Sequence, residues 1–291
     1  MVNTNWNLQG IAGEPGLRAD FRYEYINQDK PVSGGKRVAV GQIPQDHDEV
    51  KTINRNWIGT LDYTINDKWS VAATLPVVDR FHYHVDNGSG TPTPEQWSFM
   101  RIGDIRILGR YQLSSENRDS AILSFYGINF GVKLPTGDIT VQNTGGTRAE
   151  RTLQPGTGTT DLLLGAYYSQ ALGAYDSSWF VQGLWQSPLN SRADFRPGNR
   201  LSFDVGYRYE VTENVGLMVQ LNALIKRRDN GLQAEPESSG GKLLFVSPGA
   251  SYAFSKNFQV YGFVQKPIYQ YVNGVQLTAN WSTVVGVSAR F

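Results

Sequence analysis

The C-terminal stretch LTANWSTVVGVSARF (residues 277–291) alternates between two kinds of side chain. One set of alternate positions is mostly apolar or aromatic and ends at Phe291, whereas the other is mostly polar and ends at Arg290. Successive side chains of a β-strand point to opposite faces of a sheet, so the stretch predicts a strand with one apolar face. It is longer than the roughly nine to eleven residues that a β-strand needs to cross a membrane.

Composition is compatible with a membrane barrel. The 27 basic and 26 acidic residues balance, so no nucleic-acid partner is indicated. The mean hydropathy of −0.37 suits strands that turn only alternate residues toward lipid. With no cysteine in the chain, neither a disulfide nor a thiolate metal site is expected, and no cofactor is predicted. No signal segment opens the sequence, so we expect Met1 to begin a mature or recombinant form.

The same alternation recurs along the chain and predicts twelve strands. They cover approximately residues 17–28, 53–64, 69 onward, 100–113, 122–134, 161–169, 179–186, 200–211, 215–226, 243–254, 258–269 and 277–291. Short turns and long loops alternate between them, as in outer-membrane barrels with short periplasmic turns and long extracellular loops. We therefore expect an all-β fold, a transmembrane antiparallel β-barrel of about 12 strands in the bacterial outer membrane. The barrel would occupy residues 16–291, with residues 1–15 as an N-terminal segment in or under the lumen.

A soluble barrel or sandwich would alternate as well, but it would turn its apolar face inward. Here aromatic residues cluster at strand ends and the polar face carries charges of both signs, which favours the membrane interpretation. Prolines within strands remove ladder donors, so we expect an interrupted ladder at Pro76 or Pro248. Tyr269 and Tyr271 have inward parity unless a bulge near Pro267 shifts the register.

The inward positions define the predicted lumen. Its charged residues are Arg18, Asp20, Arg22, Glu24, Asp62, Asp104, Arg106, Arg110, Lys133, Asp161, Arg200, Asp204, Arg208, Glu210, Lys226 and Arg290. Its principal apolar residues are Leu108, Phe125, Phe180, Leu224, Phe245, Tyr261 and Phe263. The charges nearly cancel, so we expect a salt-bridge network that braces a narrow barrel rather than strong ion selectivity. The apolar set fits either packing around an N-terminal plug or a path for a small hydrophobic solute, and the sequence leaves both open.

Four segments together resemble a family of outer-membrane channels linked to the MetA pathway of phenol degradation. They are ATLPVVDRFHYHV (73–85), QWSFMRIGDIRILGRYQL (96–113), GVKLPTGD (131–138) and QPGTGTTDLLLGAYYSQ (154–170). The resemblance covers roughly the first 170 residues, and beyond them the chain matches only as generic barrel strands. It implies a monomeric channel that imports hydrophobic or aromatic compounds, and it carries no catalytic residues.

The only histidines of the chain are His47, His82 and His84, all near the extracellular ends of predicted strands. His82 and His84 share a face because they are two residues apart, and several carboxylates lie close in sequence. Imidazole and carboxylate groups are common metal ligands, so these histidines are candidates for a surface metal site. The alternative interpretation is an ordinary polar loop.

The leading functional hypothesis is a passive outer-membrane channel for small, hydrophobic or aromatic solutes, and not an enzyme. Its expected partners are outer-membrane lipid, lipopolysaccharide and the solute, with no nucleic acid and one chain per channel. One alternative is an outer-membrane hydrolase of the omptin or phospholipase type, for which His47 beside Asp46 and Asp48 is the candidate. The other is a structural or adhesin barrel.

Overall fold

The computed structural model describes residues 2–4, 15–88, 90–117, 122–172 and 176–291. Its strands are β1 (Gly16–Gln28), β2 (Lys30–Gly34), β3 (Lys36–Arg37), β4 (His47–Thr64), β5 (Trp69–Asp86), β6 (Thr93–Ile102), β7 (Arg106–Asn117), β8 (Ile122–Lys133), β9 (Asp161–Leu172), β10 (Ser177–Pro188), β11 (Arg200–Glu210), β12 (Val215–Lys226), β13 (Gly241–Ser255), β14 (Phe258–Thr278) and β15 (Trp281–Arg290). Among the described residues, no helix has the length and apolar character needed to cross a membrane.

Twelve of these strands form one closed antiparallel barrel. Strand β1 pairs with β15 and β4, and β13 pairs with both β12 and β14, so the described wall has no open edge. Strands β2, β3 and β6 are additional: β2 extends the ladder of β14, β3 pairs with β2, and β6 pairs with β5. The predicted all-β fold and the predicted number of wall strands are confirmed.

The outer face of the wall is apolar. Exposed side chains around the barrel include those of Leu61, Ile107, Ile128, Leu164, Phe203, Leu217, Leu221 and Val285. Aromatic pairs lie toward the two rims, such as Trp69 with Tyr111 at 4.8 Å and Tyr25 with Trp281 at 5.1 Å between ring centroids. Apolar side chains outside and polar side chains inside are the arrangement of a membrane barrel and the reverse of a soluble one.

The predicted single strand over residues 100–113 is wrong, because the chain breaks it in two. Strand β6 ends at Ile102 and β7 begins at Arg106, and β5 pairs with β7 up to Thr74 and with β6 from Val77. Pro76 lies between the two sets of pairs and has no amide hydrogen to donate. Its carbonyl accepts a hydrogen bond from the amide of Gly103 at 2.8 Å. The predicted interruption at Pro76 is therefore confirmed in the pairing of β5 with β6 and β7.

A second irregularity lies between β13 and β14. Their pairing stops at Val246 and resumes at Gly249, so that Pro248 has no partner on β14, and a register shift separates Leu244 from Phe245. One extra residue of β14, Ile268, is accommodated opposite that shift. Ile268, Tyr269 and Tyr271 are consequently all exposed. The bulge beside Pro267 thus shifts the register, which is the condition under which Tyr269 and Tyr271 were predicted to turn outward.

Candidate functional site

The lumen is lined by ion pairs that join neighbouring strands. The guanidinium of Arg110 on β7 lies 3.2 Å from Asp62 on β4. Near the extracellular end, Lys133 lies 3.0 Å from Asp104 and 3.1 Å from Asp161, and the three side chains are almost completely buried. Alternation in the strands turns these groups inward, and each buried charge has a partner of opposite sign.

None of the predicted charged lumen residues is exposed, but their surroundings differ. Arg22 pairs with Asp20 and Glu24, Arg208 with Glu210, and Lys226 with Asp229. Asp204 accepts hydrogen bonds from Asn3 and Asn222, and Arg290 is half-buried opposite Arg18 in the β1–β15 register.

Three lumen arginines stand apart. Within the described part of the chain, no hydrogen bond or ion pair involves the side chain of Arg18 near the periplasmic end, or those of Arg106 and Arg200 near the extracellular end. The charges of Arg106 and Arg200 repel each other, while the carboxylates of Asp161 and Asp104 attract Arg106.

Most of the predicted apolar lumen residues are buried against the inner face of the barrel wall. Phe125, Phe180, Phe245, Tyr261 and Phe263 are buried, whereas Leu108 and Leu224 are half-buried. Phe180 packs over Gly206 of the next strand so closely that a Cβ there would lie 2.2 Å from its ring. Phe263 and Tyr261 cover Gly249 and Gly286 in the same way. The absence of a side chain at these glycines thus lets the inward rings pack directly on the backbone of the neighbouring strand.

The first described residues of the chain lie in the lumen. The amide of Asn3 donates to Gln220 Oε1 at 2.9 Å, and the Asn3 side chain donates to Gln182 Oε1 at 3.1 Å. Val2 is buried in an apolar cluster with Met218 and Tyr261, among others. Met1 and residues 5–14 lie outside the described residues, so the N-terminal segment 1–15 as a whole stays a prediction.

Extracellular loops fold over the upper end of the lumen. In the loop of residues 134–160, the carbonyl of Leu153 accepts a hydrogen bond from Arg80 at 2.6 Å, and that of Thr147 accepts one from Trp97 at 3.0 Å. In the loop of residues 227–240, the fully buried Asp229 accepts hydrogen bonds from Lys226 and from the backbone of Gly198. These contacts hold both loops against the barrel wall.

The three histidines meet beneath these loops. His47 begins β4, while His82 and His84 are buried on β5. The His47 and His84 rings are 5.0 Å apart, and the His82 and His84 rings are 5.2 Å apart. Glu150, from the 134–160 loop, places Oε1 3.4 Å from His47 Nε2 and 3.5 Å from His84 Nδ1.

The carboxylates around this histidine cluster are mostly not the ones that lie near it in sequence. Glu49 lies 3.6 Å from His47, Glu95 on β6 lies 3.2 Å from His84, and Glu235 lies 3.7 Å from His47. Sequence reasoning missed Glu95, Glu150 and Glu235, because loops distant in sequence bring the last two to the cluster. Their only sequence signal was an acidic residue in a long extracellular loop. Of the acidic residues close in sequence, Glu49 joins the cluster, whereas Asp48 accepts a hydrogen bond from Asn87 and Asp79 pairs with Arg55.

The pKa values in the cluster, which lies at the extracellular end of the barrel, reflect the close approach of several carboxylates to His47. A hydrogen bond with Glu49 is the main reason why the pKa of His47 is raised, and the nearby Glu150 and Glu235 raise it further. Burial raises the pKa of Glu150, and the charge of Glu235 adds to the effect. Among the described contacts of His47, none is with a serine.

The fold and the apolar outer face together define the chain as a closed twelve-stranded antiparallel barrel of the outer-membrane type. No family model matches the sequence, and no curated protein matches it. The structure is similar to that of the COG4313 outer membrane channel from Pseudomonas putida F1, with a TM-score of 0.69, 13% identity and coverage of 100% of both chains. The predicted likeness to outer-membrane channels is thereby confirmed at the level of the fold.

Two further outer-membrane structures match less well. The NanC porin matches with a TM-score of 0.46 and 10% identity, over 94% of this chain and 100% of that one. The CymD monoaromatic hydrocarbon channel matches with a TM-score of 0.40 and 12% identity, over 97% of this chain and 90% of that one.

Proposed function

We propose that the protein is a passive channel of the bacterial outer membrane that takes up small solutes, chiefly hydrophobic or aromatic ones. The observation that carries this proposal is a closed barrel with an apolar exterior and a lumen lined by charged side chains and buried aromatic rings. No catalytic role is proposed. We propose a single chain as the functional unit, surrounded by outer-membrane lipid and lipopolysaccharide.

The aromatic preference follows the resemblance of residues 73–170 to channels linked to phenol degradation. The inward aromatic rings, such as those of Tyr167, Phe180 and Phe263, are almost completely buried, so they shape the wall rather than bind the solute. The unpaired guanidinium groups of Arg106 and Arg200 would also attract an aromatic solute that carries a carboxylate.

The test is solute flux into liposomes that contain the purified protein. Phenol, benzoate and a sugar of similar size are compared at equal concentration, with empty liposomes to subtract diffusion through lipid. We expect faster entry of the aromatic solutes through the protein than of the sugar. Equal rates with and without the protein would contradict the channel itself, whereas preferential sugar entry would contradict only the solute class.

A further inference from the structure

We propose that His47, His84 and Glu150 form a binding site for one divalent transition-metal ion of the zinc class. The site does not depend on the proposed channel function. It lies at the extracellular end of the barrel, where the start of β4, the end of β5 and the 134–160 loop meet. Two imidazoles and one carboxylate are a donor set that suits zinc, which commonly binds three protein ligands and one further ligand.

The distances between the donor atoms fit one shared ion. His47 Nε2 and His84 Nδ1 lie 3.4 Å and 3.5 Å from the same oxygen, Oε1 of Glu150. All three donor atoms lie within 4.8 Å of one another. Ligands about 2.0–2.2 Å from a tetrahedral zinc ion stand about 3.3–3.6 Å apart. An ion can therefore replace the direct contacts with small movements of side chains.

Neighbouring groups orient the rings for this purpose. His84 turns its Nε2 to Glu95 Oε2 at 3.2 Å, which leaves Nδ1 facing the cluster. A metal-bound histidine usually has its second nitrogen hydrogen-bonded to a carboxylate or carbonyl in this way. Likewise, Thr52 contacts His82 Nδ1 at 2.8 Å, and His82 Nε2 lies 3.2 Å from His84 Nδ1.

Charge and access also favour a cation. The carboxylates of Glu49 and Glu235 lie beside His47 without being needed as ligands, and they would offset the charge of a divalent ion. A cavity of about 290 Å³ borders the cluster and is lined by His47, Glu49, Glu150 and Glu235. An ion can reach the donors through this space, which is large enough for a hydrated cation.

A bound ion would fasten a loop to the wall. Glu150 belongs to the 134–160 loop, whereas both histidines belong to wall strands. Occupancy would therefore restrain the loop that covers the extracellular end of the lumen. Added zinc should slow cleavage of that loop by a protease that cuts after exposed arginine, such as Arg148.

The experiment titrates zinc chloride into the full chain, without a histidine tag, in detergent micelles, with binding heat as the readout. We expect one ion per chain in the wild type. His84→Ala and Glu150→Gln should each weaken the affinity by about tenfold or more. Glu213→Gln, at an exposed position in a periplasmic turn, is the matched control and should bind as the wild type does.

Cobalt supplies a second readout, because its visible absorption in the wild type reports the ligands directly. Tetrahedral cobalt with nitrogen and oxygen ligands absorbs visible light, so the wild type should gain a band that Glu150→Gln lacks. The chain has 3 histidines and no cysteine, so no imidazole or thiolate elsewhere can produce that band. Absence of zinc binding to the wild type, or unchanged affinity in both variants, would overturn the proposal.

Discussion

Lys133, the last residue of β8, and Asp161, the first residue of β9, face each other across the ladder with Nζ and Oδ2 3.1 Å apart. The long loop between them leaves and re-enters the wall at this ion pair. Asp104 adds a second carboxylate 3.0 Å from the same ammonium. The ion pair between Lys133 and Asp161 therefore joins the two ends of the 134–160 loop, which carries Glu150.

Removing this ammonium should destabilise the barrel. Lys133→Met leaves two buried carboxylates without their cation, and breaking a buried ion pair costs roughly 3–5 kcal/mol. Urea unfolding in phospholipid vesicles measures the free energy of unfolding. Lys68→Met, at an exposed turn position, should leave it unchanged. Equal stability of the two variants would show that the buried pair contributes little.

Arg106 and Arg200, at the extracellular end of the lumen, should set its preference between anions and cations. Two unit charges 4 Å apart in water interact by about 1 kcal/mol, which corresponds to about a fivefold change in local ion concentration. Replacing both Arg106 and Arg200 by Ala should shift the reversal potential in a salt gradient toward cations. Arg227→Ala, at an exposed loop position, is the control. A reversal potential that does not move would contradict a role for these arginines.

Deleting residues 1–4 should raise the single-channel conductance. Asn3 is held by Gln220 and Gln182, so its removal widens the lumen at that level. Loss of the buried Val2 should also lower the free energy of unfolding by roughly 1.5–3 kcal/mol. Val2→Ala keeps the hydrogen bonds of Asn3 and should keep the wild-type conductance. A deletion that conducts no better than this control would place the constriction elsewhere.

A charge on the outer wall should distinguish lipid from water as its surroundings. Leu221 and Leu232 are both exposed, the first in the middle of β12 and the second in an extracellular loop. Arginine on the lipid face near the membrane centre costs about 2–4 kcal/mol. We therefore expect Leu221→Arg, but not Leu232→Arg, to lower stability in vesicles. Tolerance of both substitutions would argue that the outer wall faces water.

Local patterns in the sequence predicted the wall and singled out the three histidines, but they did not predict the carboxylates from distant segments that join them. Strict alternation identified the strands because burial alternates with period two, and a proline accounted for the outward turn of Tyr269. The meeting of His47 with Glu150 depends on how a long loop folds back, which no local pattern encodes. The same limit applies to Arg106, because ion pairing across a lumen depends on register and loop position together.

Asn3 is bound by Gln220, a residue 217 positions further along the chain. Strand β12 must therefore exist before the first residues can find their place inside the barrel. Contacts with such large sequence separation form slowly, because a long segment of chain must first be brought together. The lumen is thus occupied late in assembly, at about the stage at which β1 and β15, which lie still further apart in the chain, pair to close the barrel.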